Sequence, residues 1–110
     1  MTVQVSEQNN ITRVALTGSL DGKTAPQVRE EIRPALEKSM QVILDMSGVD
    51  YLSSAGLRLL LLAYREFTAK KGKLVLLGVS QDIQAVMSHT GFLNFFKLAA
   101  TEQEALEAFK

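Results

Sequence analysis

The sequence predicts an α/β domain with a mostly parallel central sheet of about five strands, an N-terminal antiparallel strand and four helices. Three observations carry that expectation. Two alternating segments near the N-terminus flank the polar tetrad Glu7-Gln8-Asn9-Asn10, which suits a hairpin turn. Two later segments, Met40–Met46 and Lys73–Val79, are almost continuously apolar, as parallel strands buried on both faces require. Stretches of helical periodicity separate the strands, so the order reads β-β-α-β-α-β-α-β-α. Right-handed βαβ crossovers are the natural solution to that order.

The elements follow in turn. Thr2–Ser6 alternates weakly. Ile11–Thr17 alternates clearly, with Ile11, Arg13, Ala15 and Thr17 on one face and Val14 and Leu16 on the other. Gly18–Gly22 reads as a loop from its turn residues. Thr24 is the expected N-cap of the first helix, with Pro26 in its first turn. Val28, Ile32, Ala35 and Leu36 share one face of that helix, and Pro34 is expected to kink or shorten it. Ser47-Gly48-Val49-Asp50 is a turn-forming segment after the Met40–Met46 strand. The second helix is expected over Ser54–Lys71, with Lys70 and Lys71 at its dipole-negative end and Gly72 at C′. Ser80 should cap a third helix, Gln81–His89, which Gly91 ends. Phe95–Leu98 reads as a short strand, and Thr101 opens a capping box with Glu104 before a last helix to Lys110.

The bulk numbers narrow the function. The chain has 110 residues, enough for one domain with a real core. Twelve Lys and Arg balance twelve Asp and Glu, so a nucleic-acid partner has no electrostatic support. Cysteine is absent, which removes disulfides, thiolate metal sites and cysteine nucleophiles. No signal-peptide pattern opens the sequence, and the longest apolar run, Leu59–Ala63, is far too short to span a bilayer. A cytoplasmic domain without a membrane partner, a monomer or weak dimer, is expected.

The segment Val42–Arg58 is the most informative. An apolar strand leads through a short connection into Ser53-Ser54-Ala55-Gly56, which opens a leucine-rich helix. Two hydroxyls therefore sit where backbone N–H groups lack intrahelical partners and where negative charge is favoured. A serine there is either a plain N-cap or a place that can accept a phosphate.

Leu44–Leu57 resembles the central motif of STAS domains, and within them the bacterial anti-sigma-factor antagonists. Leu16-Thr17-Gly18-Ser19-Leu20-Asp21 is similar to the family's loop before the first helix. Met87–Phe96, with Thr90-Gly91-Phe92 inside it, is similar to the segment before the last strand. The resemblance covers essentially the whole chain, residues 1–110, and implies a STAS-like fold and a non-enzymatic partner switch. Such a protein, when unphosphorylated, binds a serine kinase of the histidine-kinase-like ATPase fold, an anti-sigma factor or switch kinase. Phosphorylation of a helix-start serine releases it, and a PP2C-type phosphatase reverses the mark. Position by position the phosphoacceptor falls on Ser54, with Ser53 the second choice. Ser53 stands where many members have Asp, and Ala55 where others have Ser or Thr. The resemblance places partner contacts at Asp21, Ser53, Ala55, Gly56 and Arg58. No cofactor and no metal are implied. The alternative is an unphosphorylated STAS scaffold or a module that binds a nucleotide or other small ligand.

The remaining residues carry bland readings. Leu57, Leu60, Leu61 and Tyr64 form a core stripe, whereas Leu59 and Leu62 lie off it, either beneath a neighbouring helix or as an exposed patch beside Ser54. The loop with Ser19 and Asp21 should approach the Ser54 edge. A phosphate on Ser54 would meet added repulsion near Asp45 or Asp50. His89, the only histidine, lies in a last helical turn where a cation is favoured. No GxxxxGK[ST], GxGxxG or nucleophile-elbow pattern occurs.

Overall fold

A computed structural model describes residues 1–110. Its elements are β1 (Thr2–Gln8), β2 (Ile11–Leu20), α1 (Thr24–Lys38), β3 (Gln41–Leu52), α2 (Ser54–Ala69), β4 (Lys73–Leu77), α3 (Gln81–His89), a 3-10 turn (Leu93–Phe95), β5 (Lys97–Ala99) and α4 (Glu102–Glu107). One sheet carries the strands in the order β1-β2-β3-β4-β5. β1 and β2 pair antiparallel, and every later pair is parallel. The hairpin closes through Asn9 and Asn10, both at positive φ (55° and 66°). That conformation gives a two-residue turn whose twist matches the strands, and asparagine tolerates it. No helix is long and apolar enough to cross a membrane.

Strands added in one direction with one hand of crossover place all crossover helices on the same face. The core obeys this. Val14, Leu16, Val42, Leu44, Met46 and Leu76 pack beneath α1 (Val28, Ile32, Leu36), α2 (Leu57, Leu60, Ala63, Phe67) and α3 (Ile83, Met87). The opposite face holds a smaller cluster, Ile43, Val75, Leu77 and Ala99, covered by Ala105 of α4. The strand alternation read from the sequence is the alternation observed, and Leu59 is buried between α2 and α1.

Several element ends differ from expectation. Gly18–Leu20 is strand, because β2 and β3 stay paired to Leu20↔Leu52. Ser47–Asp50 is likewise strand. Register shifts absorb the extra residues as bulges, one between Ala15 and Thr17 and one between Gly18 and Ser19. Asp21, not Thr24, caps α1: its carboxylate accepts from the Lys23 and Thr24 amides at 2.9 and 3.0 Å, while the Thr24 hydroxyl accepts from the Asp21 amide at 2.9 Å. Thr24 thus plays the reciprocal role that a glutamate has in a capping box. Pro34 does not shorten α1, which runs on to Lys38: the residue whose carbonyl it strands, Glu30, is exposed, and Ile32 and Leu36 anchor both sides. α2 ends at Ala69, and Lys71, not Gly72, takes the left-handed turn (φ 61°). Gly72 instead gives room, because a Cβ there would lie 2.9 Å from the Phe67 ring. β4 stops at Leu77, where Gly78 turns with φ 70°.

The last third shows the same kind of shift. Phe95 and Phe96 are not strand. Their rings pack on Tyr64 of α2, stacked at 5.7 Å and edge-on at 5.5 Å, so β5 starts at Lys97. Ser80 and Thr101 cap as expected, accepting from the Ile83 and Glu104 amides. Glu104 reaches the Ala100 amide, one residue short of a capping box, and α4 ends at Glu107.

A polar staple crosses the lightly covered face. Arg13 on β2 pairs with Asp45 on β3 at 2.7 Å and with Glu102 of α4. Asp45 also accepts from the Ser47 hydroxyl and amide, at 2.6 and 3.0 Å, which pins the bulge. Burial opposes the Asp45 charge, but the Ser47 hydrogen bonds and Arg13 outweigh it and hold the carboxyl below the usual range. The native state therefore binds fewer protons than the unfolded chain, and stability rises with pH through this window. The contribution is complete above the ordinary aspartate value, about 3.9, and is lost as pH falls through the lower folded value. Asp45→Asn should flatten the acid limb of a stability-versus-pH curve measured by urea unfolding. An unchanged limb would remove Asp45 from the acid response.

Candidate functional site

The site forms where β2 and β3 end side by side. Ser19 pairs with Tyr51 and Leu20 with Leu52, after which one chain turns into α1 and the other into α2. Both helices thus begin at one edge of the sheet. The Ser53 amide donates to the Leu20 carbonyl at 3.0 Å. Gly56 lies over that same carbonyl: a Cβ there would sit 2.5 Å from the oxygen and 2.8 Å from Leu52 Cδ1. The first turn of α2 can seat on the end of β2 only because position 56 has no side chain.

The two serines have different environments. Ser53 is half-buried and extended (φ −89°, ψ 177°), and its Oγ accepts from the Gly56 amide at 3.3 Å. It is the N-cap. Ser54 is the first helical residue and is exposed, and its hydroxyl takes no part in the capping. The plain-cap role that the sequence allowed for Ser54 therefore belongs to its neighbour.

Around Ser54 runs a groove of about 480 Å³. Ser54, Ala55, Arg58, Leu59 and Leu62 line it from α2, and Gly22, Ala25, Pro26 and Arg29 line it from the α1 side. Arg58 is exposed. Arg29 is held by Glu66 across the two helices at 3.2 Å. Asp21 closes the adjoining turn, where the Thr24 amide, followed by that of Lys23, holds its carboxyl below the usual range. That carboxylate is occupied in capping α1. Asp50, at the same end of the sheet, accepts from the Ser19 hydroxyl at 2.9 Å.

The structure thus brings Ser53, Ser54, Ala55 and Arg58 to one edge with the Asp21 turn beside them. Gly56 is buried beneath them and acts as a seat. Asp45 is not part of this edge, because it points to the opposite sheet face and Arg13 neutralises it. Sequence reading missed the α1 side of the groove. The available signal was the helical repeat of Ala25, Pro26 and Arg29, which a projection of α1 places on one stripe.

The local energetics separate these residues. Ser53→Ala removes the cap and should cost about 1 kcal/mol. Ser54→Ala should stay within about 0.5 kcal/mol of the parent, as exposed substitutions do. Gly56→Ala gains up to about 1 kcal/mol of helix propensity. It loses more, about 1–3 kcal/mol, by forcing a methyl onto a backbone oxygen. Net destabilisation is expected. Urea unfolding of the three variants checks the order, and a Ser54 effect as large as that of Ser53 would contradict the assigned cap.

Comparison with known proteins places this geometry. The family model for the STAS domain matches residues 2–105. A protein assigned as an anti-sigma factor antagonist, BtrV of Bordetella bronchiseptica, is 34% identical over 96 residues, covering 86% of this chain and 83% of its own. The anti-sigma factor antagonist SpoIIAA in its unphosphorylated form superposes with a TM-score of 0.80 at 25% identity, covering 98% of this chain and 96% of that one. The phosphorylated form of the Bacillus protein superposes with a TM-score of 0.75, also at 25% identity, covering 99% and 100%. With the model match running through β1 to α4, the chain belongs to the STAS domain family.

Proposed function

We propose that this protein is an anti-sigma-factor antagonist that works as a non-enzymatic partner switch. In its unphosphorylated form it binds a serine kinase of the histidine-kinase-like ATPase fold, itself an anti-sigma factor or switch kinase. Phosphorylation of Ser54 releases that partner, and a PP2C-type phosphatase restores binding. The observation that carries this reading is the division between the serines: Ser53 is held in the cap, while Ser54 stands exposed at the rim of the groove. The family and its antagonist relatives support the partner class.

The physics of release is local. A phosphate brings about −1.5 to −2 charges. The first turn of a helix tolerates that charge, so the domain keeps its fold. A partner packed over a neutral hydroxyl must instead cover a hydrated dianion, whose desolvation costs several kcal/mol. Asp50 adds negative charge at the same end of the sheet. A hundredfold loss of affinity needs only about 2.8 kcal/mol.

Intact-mass and peptide mass spectrometry of the chain from its native cell should find one phosphate, on Ser54. In binding assays with the kinase, Ser54→Ala should bind like the unphosphorylated parent, and Ser54→Asp should bind at least tenfold more weakly. A phosphate on Ser53 would overturn the position. Equal binding by both variants and no phosphate under any growth condition would replace the switch with a scaffold or small-ligand module using the same groove.

A further inference from the structure

We propose that Arg58 is an internal clamp for the Ser54 phosphate, so that the phosphorylated domain closes an ion pair across the first turn of α2. The inference rests on the assignment of Ser54 as phosphoacceptor and adds a residue to that site. Ser54 and Arg58 are four positions apart on one helix and line one groove. In a helix, long side chains lean toward the N-terminus and cover the turn before their own Cα. That lean carries Arg58 back toward the turn that holds Ser54, so Ser54 does not need to reach forward. An acidic group four residues N-terminal to a basic one is also the favourable order of such a pair.

The charge inventory of the groove singles out Arg58. The other guanidinium lining this groove, on Arg29, is paired with Glu66. Arg33, on the next turn of α1, pairs with Glu30. Arg13 lies on the opposite sheet face between Asp45 and Glu102. Arg58 forms none of the chain's ion pairs and is exposed. Its planar fork matches two oxygens of a phosphate monoester, a geometry an ammonium cannot reproduce. Phosphorylation then changes the groove twice. It adds a dianion at Ser54, and it draws the one unpaired cation among the residues lining the groove away from whatever docks there.

The test uses the full chain carrying phosphoserine installed at position 54 during translation, so it does not depend on any kinase. A phosphorus NMR titration reads the second ionisation of the phosphate, about 6 for a free phosphoserine. In the parent it should lie lower by about 0.3 unit or more than in Arg58→Gln, the size expected of a helical pair strengthened by charge. Arg58→Lys should fall between them. Added salt should shrink the difference, as for any exposed pair. Identical titrations in the parent and Arg58→Gln would overturn the clamp while leaving the switch intact. Conversely, native protein that never carries phosphate on Ser54 would overturn the switch, whatever the titration of the installed group shows. Amide spectra of the Gln and Lys variants matching the parent establish that the comparison is made on one fold.

Discussion

The contact between the Leu20 carbonyl and Gly56 governs the geometry of the site. Two parallel strands end in register, and each feeds a helix. Those helices can start at the same edge only if one of them lets its first turn sit on the end of the neighbouring strand. A glycine in a helix costs up to about 1 kcal/mol relative to alanine. Here that cost is offset by a backbone approach that no side chain would permit, since a Cβ would come within 2.5 Å of the carbonyl oxygen. The same carbonyl receives the Ser53 amide, so the strand end positions the residue before the helix as well as its third residue. The Ser53 cap, the exposed Ser54 and the groove floor all take their places from this one seating.

Much of this was legible in the sequence because it rests on local rules. Ser80, Thr101 and the Ser53-Ser54 pair announce helix starts through short-range capping chemistry, and the structure places each start where that chemistry requires. Val14 and Leu16 against Arg13 and Ala15 announce the two faces of β2. What failed did so where tertiary contacts overrule a local signal. Ser47-Gly48 has the composition of a turn, yet pairing with β2 continues and a bulge takes up the slack, with Asp45 serving the amide that the ladder leaves free. Thr24 has the composition of a cap, yet the helical hydrogen bonding starts three residues earlier, where the Asp21 carboxylate takes the Lys23 and Thr24 amides with a charged acceptor.

The candidate site divides along the same line. Residues contiguous on α2 were readable as a run, and the structure keeps Ser54, Ala55 and Arg58 on one wall of the groove. The facing wall comes from α1, and which of its residues face α2 depends on how two helices lie across a sheet. The repeat of Ala25, Pro26 and Arg29 puts them on one stripe of α1, but the sequence does not state that this stripe faces α2. The carboxylates illustrate the converse. Asp45 and Asp50 are near in sequence to Ser54, yet only Asp50 lies at that end of the sheet. Alternation and the bulge turn Asp45 to the other face and into the staple with Arg13.

The proposed switch depends on the division of labour between the two adjacent serines. If the acceptor were also the cap, a phosphate would disturb the hydrogen bond that starts the helix, at a cost of about 1 kcal/mol and with loss of the local geometry. With the cap on Ser53, a phosphate proposed at Ser54 would enter a helix start whose dipole favours its charge by a fraction of a kcal/mol. A partner docked over that position would face the opposite balance, because covering the same dianion costs several kcal/mol. The difference between these magnitudes confines the effect to the interface. In the proposed switch the domain would keep one fold in both states, and the free energy of modification would appear almost entirely as a change in what binds it.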